Sequence, residues 1–589
     1  MFQRKDPQRS LFAASMLLPD EKRERLEADW PGAFRRAALP LIDEELFRDL
    51  YHPDNGRPNK PVQTIIGMLL LKEMHDLTDV EAVAALDYDL RWQVALDLDP
   101  AEAHVCQKTL HNFRVKLLEN DHAQLLFERT AVQIIAVLGT SSARQRLDST
   151  HIRSNMAVLT RLGLFCETMR VFLKALKDSD PARYASVPPG LAGRYLREDG
   201  TAGRYADARS SEGRRRLAVC ARDVWRLVDR FRGSASVEAM EAYALLLRLM
   251  AEQCELTESP VTAAEGDADI EDVPVPVKLK AAKAVGSDSL QSPHDADSTY
   301  SAHKGKGYEV QLAETHGNEN APEVIAAVSV TRSCDSDESA TVPIVADLHN
   351  RGLGPDEMVV DTNYGSTENV LACEALGTEL VSPVAGAKVE APADGTIDEG
   401  DFEVSAKAET PTRCPRGRVA CSEDRTVGTA KTMKIVATFP ASACSDCPHR
   451  DSCPTRRQSD GSRVLRTTLH AVTLARRRKY ERSESFRKRY AMRAGIEATN
   501  SELKRAHGLG RPRVRGFLRI RLAVILKVLA CNVKRMIRHL VSAGKAAARA
   551  VQTAFSAESA RQFVVGGSEI VCGFLESLRV WIPVFAPAA

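Results

Sequence analysis

Two aspartates lie on predicted apolar strands, one within a strand and one at the end of a strand. Carboxylates in such positions are candidates for catalysis or metal binding. Asp148 lies in a strand predicted to begin at Arg144, and Asp361 ends a short strand predicted to begin at Glu357. The charge of an aspartate on an apolar strand needs a partner. In open α/β sheets, functional sites gather at the carboxyl ends of strands. Each aspartate alone could also cap a turn, so a third group is needed to decide.

The third acidic group is Glu497, on a helix predicted from about Ser483 to Ala506. At roughly 100° per residue, four polar side chains fall within about 60° of one another on this helix. They are a phenol, a guanidinium, a carboxylate and an ammonium: Tyr490, Arg493, Glu497 and Lys504. Apolar side chains lie on another side, where they can pack on a sheet. A solvated face with an exposed Arg493–Glu497 pair is the alternative interpretation.

Three carboxylates gathered at one point repel one another unless cations lie among them. Hard oxygen ligands suit Mg²⁺ or Mn²⁺. Two such ions, about 4 Å apart, can activate water or a 3′-hydroxyl and stabilise the leaving oxygen in an in-line displacement. The predicted cofactor is therefore a pair of Mg²⁺ or Mn²⁺ ions bound by Asp148, Asp361 and Glu497.

The order of elements places these acids together. Without two long inserted stretches it runs strand, strand, strand, helix, strand, helix, strand, helix. This is the order of a ribonuclease-H-like α/β fold, a mixed sheet with flanking helices. A hairpin is predicted at Gly307–Ala313 and Glu323–Thr331, and a further strand at Glu379–Pro383. Asp295 and Asp297, where the core resumes after a long insertion, are alternatives to Asp148.

The chain of 589 residues is too long for one ordinary domain. A capping box at Thr78 and Glu81 starts one of its N-terminal helices. The predicted helix at Gln107–Lys116 is a candidate for recognising a base sequence in DNA. The predicted organisation is a helical N-terminal DNA-binding domain (1–135), the first core strand (140–156), a helical insertion with an acidic linker (157–292), the continued core (293–384), a cysteine-containing β-like insertion (385–470), the Glu helix and a basic C-terminal helix (471–540), and a tail without an assigned role (541–589).

Five of the thirteen cysteines lie between positions 414 and 453. Cys414, Cys444, Cys447 and Cys453 offer four thiolates for a tetrahedral structural Zn²⁺. Cys421 and His449 are competing ligands, and reduced cysteines without metal are the alternative. Because this insertion lacks a large apolar core, a metal would explain how it keeps its shape.

Charge points to a polyanionic partner, although the formal net charge of the whole chain is only +2. Residues 471–540 contain 20 Lys and Arg against four Glu and no Asp, a net charge of +16. Basic stretches flank the Glu497 helix on both sides, which favours contact with the DNA backbone and a steep salt dependence. No apolar leader and no uncharged run of about 18 residues are found, so we expect a soluble, cytoplasmic protein without membrane contact.

The spacing Tyr490-x₂-Arg493-x₃-Glu497-x₆-Lys504 resembles the Y-R-E-K signature of bacterial insertion-sequence transposases with a DDE triad. Other blocks are similar to the same family: LDSTHIRSN around Asp148, VVDTNYGSTEN around Asp361, GLGRPRVRG after the Glu helix, and GRPNKPVQTIIGMLLLKEM in the N-terminal helices. The resemblance covers roughly residues 40–540 in separated blocks. The Y-R-E-K spacing is specific, whereas each Asp motif alone is weak.

The resemblance implies a ribonuclease-H-like core in which the three acids bind Mg²⁺, with cleavage of donor DNA followed by strand transfer. It implies that Tyr490, Arg493 and Lys504 contact DNA near the cleaved phosphate. The basic segment adds further predicted DNA ligands: Arg511, Arg513 and Arg515. The expected partners are double-stranded terminal repeats and target DNA, bound by a homodimer, in a bacterial nucleoid-associated setting.

Three alternatives stay open. One is a nuclease of the same fold that cuts without joining. Another is a non-catalytic DNA-binding protein derived from a transposase, against which the three acids and the intact signature argue. The last, a zinc-containing RNA-binding protein, lacks clustered aromatic residues, which form only 5% of the chain.

Overall fold

The computed structural model describes residues 1–6, 12–14, 16–52, 55–56, 58–205, 213–261, 274–386, 396–405, 410–427 and 433–557. Its N-terminal part is helical: α1 (Asp20–Glu27), α2 (Trp30–Ala33), α3 (Val62–Met74), α4 (Asp79–Tyr88), α5 (Leu90–Ala95), α6 (Gln107–Leu118) and α7 (His122–Leu138). Helix α3 is buried along its whole length except at Gln63. The predicted capping box is confirmed, because Thr78 and Glu81 exchange side-chain and backbone hydrogen bonds at the start of α4.

Strand β1 (Arg144–Ile152) is followed by a helical insertion with its own apolar core. Its elements are α8 (Arg161–Ser179), α9 (Pro181–Ala185), α10 (Pro189–Tyr195), α11 (Gly213–Phe231), α12 (Ala235–Glu238), α13 (Glu241–Gln253), β2 (Cys254–Val261) and β3 (Val275–Leu279). Helix α10 begins at Pro189, because the first turn of a helix accepts a proline at a position that needs no N–H donor. One local expectation was wrong, since part of the predicted acidic linker forms the antiparallel pair β2–β3.

The central sheet resumes with β4 (Thr299–Ser301), β5 (Gly305–Thr315) and β6 (Ile325–Arg332), then α14 (Glu338–Asn350), β7 (Glu357–Val360), α15 (Thr367–Ala375) and β8 (Glu379–Val381). The order β6–β5–β1–β7–β8 has antiparallel pairs on the β5 side and parallel pairs on the β7 side, and β4 also pairs with β5. This order confirms the predicted ribonuclease-H-like fold. The hairpin β5–β6 and the parallel strands lie where the alternation and the apolar runs predicted them.

The cysteine-containing insertion has a four-stranded antiparallel sheet in the order β11–β12–β10–β9. Its elements are β9 (Ser422–Val427), β10 (Met433–Phe439), α16 (Ala441–Cys444), β11 (Arg456–Arg457) and β12 (Arg463–Thr468). Its apolar core is small and includes Phe402, Ile435 and Phe439. A small apolar core of this kind contributes little stability, so a further stabilising interaction is expected in this insertion.

The chain returns to the central sheet through α17 (Leu469–Glu481), α18 (Glu484–Ala491), α19 (Gly495–Ala506) and α20 (Phe517–Ala557). The prediction of one continuous Glu helix was wrong, because a 3₁₀ turn at Met492–Ala494 separates α18 from α19. The side chain of Arg146 accounts for this position. Its Nη1 donates to the Met492 carbonyl at 3.1 Å, and a Cβ on Gly495 would lie 1.9 Å from the same nitrogen. Helix α20 also extends past the predicted end at Leu540.

Candidate active site

Asp148 and Asp361 come together because β1 and β7 are neighbouring parallel strands. The last residues in register are Leu147 and Val360, and each aspartate is the next residue along its chain. Each carboxylate is oriented in the same local way, with Oδ1 accepting the following backbone N–H. These distances are 2.9 Å for Ser149 and 2.8 Å for Thr362. The two aspartates therefore lie side by side at the carboxyl edge of the parallel strands.

The α18–α19 segment brings the other residues of the signature to this edge. Arg493 Nη1 donates to Asp148 Oδ2 at 2.8 Å, and Arg493 Nη2 lies 3.8 Å from Glu497 Oε1. The Tyr490 hydroxyl lies 3.5 Å from Asp361 Oδ1. The Tyr490 ring stacks on Phe486, which packs against the buried valines of β7 and β8. A guanidinium and a phenol thus connect the Glu497 segment to both aspartates.

The surroundings of Asp148 stabilise its charged form incompletely. Burial raises the pKa of Asp148 above its ordinary value, and the charge of Asp361 raises it further. Arg493 and the Ser149 N–H oppose this effect without cancelling it. The Glu497 side chain is 68% exposed, and Arg493 is its ion-pair partner at long range. The site therefore combines two partly buried carboxylates with one that faces solvent.

Lys504, the last residue of the signature, is exposed near the end of α19. Its aliphatic stem lies beside Gly510, where a Cβ would contact it at 3.6 Å. Burial of the amine lowers the pKa of Lys504, while Glu309 of the central sheet acts in the opposite direction. Among the residues that the structure describes, Lys504 makes no hydrogen bond or ion pair with the three acids.

The basic segment after α19 is held against the loop that follows β1. The Gly510 and Val514 carbonyls accept the backbone N–H groups of Arg153 and Asn155, both at 3.1 Å. Arg513 pairs with Asp76 at 3.1 Å, Arg515 donates to the Asn155 carbonyl, and Arg511 reaches the Met156 carbonyl at 3.5 Å. These predicted DNA ligands therefore also fix the segment to the fold.

Asp295 and Asp297, the alternatives to Asp148, occupy a different place. Asp295 is buried and accepts the Tyr308 hydroxyl at 2.6 Å and the Gly516 N–H at 3.2 Å. Asp297 accepts the Phe517 N–H at 2.9 Å. Both carboxylates therefore cap the N-terminus of α20, where the helix dipole favours negative charge.

A cluster of polar side chains around the buried Glu309, next to Asp148, was not predicted from the sequence. Lys304 Nζ donates to Ser149 Oγ at 2.9 Å, to Glu309 Oε2 at 3.1 Å and to Asp337 Oδ2 at 3.2 Å. His151 Nδ1 lies 3.0 Å from the other oxygen of Glu309. Glu309 is 1% exposed in the middle of an apolar alternating strand, and that position was the available signal. This group supports the strand on which Asp148 lies.

The four predicted zinc ligands are neighbours in the cysteine-containing insertion. Burial raises the pKa of Cys444, and Cys453, Cys414 and Cys447 raise it further as nearby thiolates, whereas Arg463 lowers it. Cys421, a competing ligand, is exposed and donates to the Thr438 carbonyl at 3.3 Å. His449, the other competitor, is partly buried.

Outside the predicted catalytic site and the cysteine-containing insertion, three potential metal ligands lie close together. Across the described part of the chain, one group of three His, Cys or acidic side chains has its ligand atoms all within 4.8 Å of one another: Glu502, His507 and Cys531. The three predicted catalytic acids and the four cysteines are more widely spread than this. The guanidinium of Arg493 contacts both Asp148 and Glu497, two of these acids.

No helix within the described ranges combines the length and apolarity needed to cross a membrane. Comparisons with protein families give two matches. A transposase DDE domain model matches residues 413–537, which contain Glu497 and the rest of the signature. A transposase domain model (DUF772) matches residues 24–116, which contain α3 to most of α6.

Neither the curated proteins nor the solved structures gave a match to the chain. The two family matches lie on either side of the strand that carries Asp148, and they agree with the observed ribonuclease-H-like sheet. Both matches are to transposase families, and together with the sheet they indicate an insertion-sequence DNA transposase of the DDE type.

Proposed function

We propose that Asp148, Asp361 and Glu497 are the catalytic triad of this transposase and bind two Mg²⁺ or Mn²⁺ ions. The observation that carries the proposal is the pair of contacts from Arg493 to Asp148 and Glu497. Asp148 and Asp361 directly follow Leu147 and Val360, the last residues in register between β1 and β7. These contacts gather acids separated by more than three hundred residues.

The donor set fits hard divalent cations. All three groups offer carboxylate oxygens, which Mg²⁺ and Mn²⁺ prefer to nitrogen or sulfur. Burial and mutual repulsion raise the pKa of Asp148, and nearby cations would relieve both. The exposed Glu497 leaves space for water and a phosphate group on its side of the site.

When bound, the two cations would supply Lewis-acid activation of a water or 3′-hydroxyl and stabilisation of the leaving oxygen. The residues of the chain have separate tasks. The N–H groups of Ser149 and Thr362 hold the aspartate carboxylates in fixed orientations. Arg493 offers a planar fork for a phosphate, and Lys504 offers a point charge on the same side. Tyr490 can donate its hydroxyl proton in a hydrogen bond to the DNA.

The proposed DNA path runs from the active site over the basic segment with Arg511, Arg513 and Arg515. Sequence readout is proposed for α6, whose exposed side chains include Gln107, Lys108, His111 and Asn112. Paired element ends would be held by a homodimer in the cytoplasm, in association with the nucleoid. Phosphate contacts of this kind make binding weaken steeply as salt rises.

We also propose a structural Zn²⁺ held by Cys414, Cys444, Cys447 and Cys453. Thiolates suit zinc, and the small apolar core of the insertion would gain stability from a metal. Protein purified without chelators should contain zinc, and the Cys444→Ser, Cys447→Ser double variant should lose that portion. Unchanged zinc content in the double variant would contradict this ligand set.

The functional experiment incubates the full-length protein with duplexes that carry its own element's ends, in Mg²⁺, and maps the cuts on both strands. A second reaction supplies pre-cleaved ends and a target plasmid. We expect cleavage at the ends and joined products, both lost in Glu497→Gln. Cleavage without joining would favour the nuclease alternative, and DNA binding without either reaction would favour a non-catalytic protein.

A further inference from the structure

A buried cluster away from the three acids joins three segments of the fold. Glu502 lies in α19, His507 directly follows that helix, and Cys531 lies in the first half of α20. One ligand atom from each lies within 4.8 Å of the other two. His507 and Cys531 are both fully buried.

The orientation of the His507 ring is fixed by its hydrogen bond to the N-terminal helices. Nδ1 lies 2.9 Å from the Glu73 carbonyl oxygen of α3, and a carbonyl can only accept. The proton is therefore on Nδ1, and Nε2 carries a lone pair. Nε2 is buried and has no hydrogen-bond partner among the described residues. A histidine whose far nitrogen donates to a backbone carbonyl has the arrangement usual for metal-binding imidazoles.

The charged side chains around the cluster restrict the net charge that a bound metal complex can carry. Arg535 donates to Glu502 at 2.9 Å, and Lys527 donates to the His507 carbonyl at 2.5 Å. These cations would repel a complex with net positive charge. A divalent cation with one thiolate, one carboxylate and one neutral imidazole has no net charge, so the repulsion is avoided.

We propose that Glu502, His507 and Cys531 form a separate metal site for a zinc-class divalent cation. Thiolate and imidazole ligands select zinc over Mg²⁺, and a water would complete a tetrahedron. Binding converts the Cys531 thiol to thiolate and releases one proton to the solvent. The metal would tie the end of the Glu497 helix to α20, while the His507–Glu73 bond extends the link to α3.

The site differs from the proposed catalytic and insertion sites in its ligands. The catalytic acids offer oxygen only, and the insertion offers four sulfurs. The site proposed here offers one sulfur, one nitrogen and one oxygen. A probe that counts thiolates bound to the metal can therefore distinguish the three.

The test uses full-length protein with Cys444→Ser and Cys447→Ser, which disables the proposed zinc set of the insertion. Co²⁺ serves as the probe because a sulfur-to-cobalt charge-transfer band reports thiolate ligation. We expect a band of single-thiolate intensity that saturates at one equivalent. Adding Cys531→Ser should abolish it, whereas Cys373→Ser, which removes a buried cysteine outside the cluster, should leave it unchanged.

Glu502→Gln provides a second variant whose side chain is partly exposed, so that a folding defect in Cys531→Ser does not decide the result. We expect its affinity for Co²⁺ to fall by at least about tenfold with an unchanged circular dichroism spectrum. The proposal is overturned if the background protein shows no sulfur band, if the band survives Cys531→Ser, or if Glu502→Gln binds Co²⁺ with unchanged affinity.

Discussion

Two groups of charged side chains share strand β1 and helix α19 but have opposite surroundings. In the first group, Arg146 of β1 and Arg535 of α20 both pair with Glu314 of β5, at 2.6 and 2.7 Å. Thr499 of α19 donates its hydroxyl to the same carboxylate. In the second group, Asp148 lies two residues after Arg146 on β1, and Glu497 lies two residues before Thr499 on α19. Glu314 is 1% exposed, whereas the Glu497 side chain is 68% exposed.

The two groups differ in how completely their charged side chains are neutralised by partners within the chain. The Glu314 carboxylate also accepts the Thr499 hydroxyl, so both guanidinium groups and the carboxylate have fixed partners. Asp148 has Arg493 but also the like charge of Asp361, and its pKa is raised. Charges that hold the helix to the sheet are satisfied within the chain. The charged side chains proposed for catalysis are compensated only in part within the chain, and we expect cations and DNA to supply the remaining compensation.

The largest expected effect on stability is at Glu314. Glu314→Gln should leave the buried Arg146 without a compensating charge and Arg535 with Glu502 alone, and we expect a loss of about 3–5 kcal/mol in the free energy of unfolding. Chemical denaturation followed by circular dichroism measures it. The matched variant Glu497→Gln should change stability by less than about 0.5 kcal/mol, since its ion pair is exposed. Equal losses in the two variants would remove the distinction between the groups.

The next effect concerns the close approach of Arg146 to α19. Gly495→Ala places a Cβ at 1.9 Å from Arg146 Nη1, so the guanidinium must shift, and we expect a loss of about 1–3 kcal/mol. DNA-end cleavage should fall as well, because Arg493 and Glu497 flank this position. Gly193→Ala in α10 is the control, since no atom lies within 4 Å of its added Cβ. A gain or no change is expected there, and a comparable loss in the control would contradict the steric account.

A smaller effect of opposite sign is expected at Asp148. Because its folded-state pKa is raised above the ordinary 3.8, ionisation of Asp148 costs folding free energy. This cost is absent below the unfolded pKa and complete above the folded pKa. In EDTA near pH 7, Asp148→Asn should therefore stabilise the protein by up to roughly 1 kcal/mol, and the gain should vanish toward pH 3. Thermal melting across this pH range measures it; destabilisation at pH 7 would be the contrary result.

The smallest effect is expected at Glu484, which pairs with Lys488 one turn along α18, on the exposed surface. Glu484→Gln should change stability by less than about 0.5 kcal/mol and leave cleavage unchanged. It is a matched control for Glu497→Gln, because both remove an exposed glutamate from an i,i+4 pair. A cleavage defect in Glu484→Gln would show that the α18–α19 segment responds to any loss of charge.

The strands of the central sheet could be predicted because alternation and apolar runs are local signals. The predicted strand at Glu357–Asp361 differs from the observed one only in that Asp361 follows the last paired residue. The spacing of Tyr490, Arg493 and Glu497 survived the break between α18 and α19, because the turn at Met492–Ala494 stays close to helical geometry.

Features set by distant contacts could not be predicted. The 3₁₀ turn depends on Arg146, which is more than three hundred positions away, and no helical periodicity contains that information. The pairing of β2 with β3 depends on partners across an acidic stretch that looks like a linker. The Lys304 group beside Asp148 also requires three separate segments to meet. In each case, tertiary packing decides what local propensity leaves open.

The most direct test of the central proposal is anomalous diffraction from crystals of the protein with a pre-cleaved element end and Mn²⁺. We expect two anomalous peaks whose nearest protein ligands are the carboxylate oxygens of Asp148, Asp361 and Glu497, and we expect these peaks to be lost in Glu497→Gln or Asp361→Asn crystals. Manganese bound at full occupancy elsewhere, with no peak between Asp148 and Asp361, would contradict it.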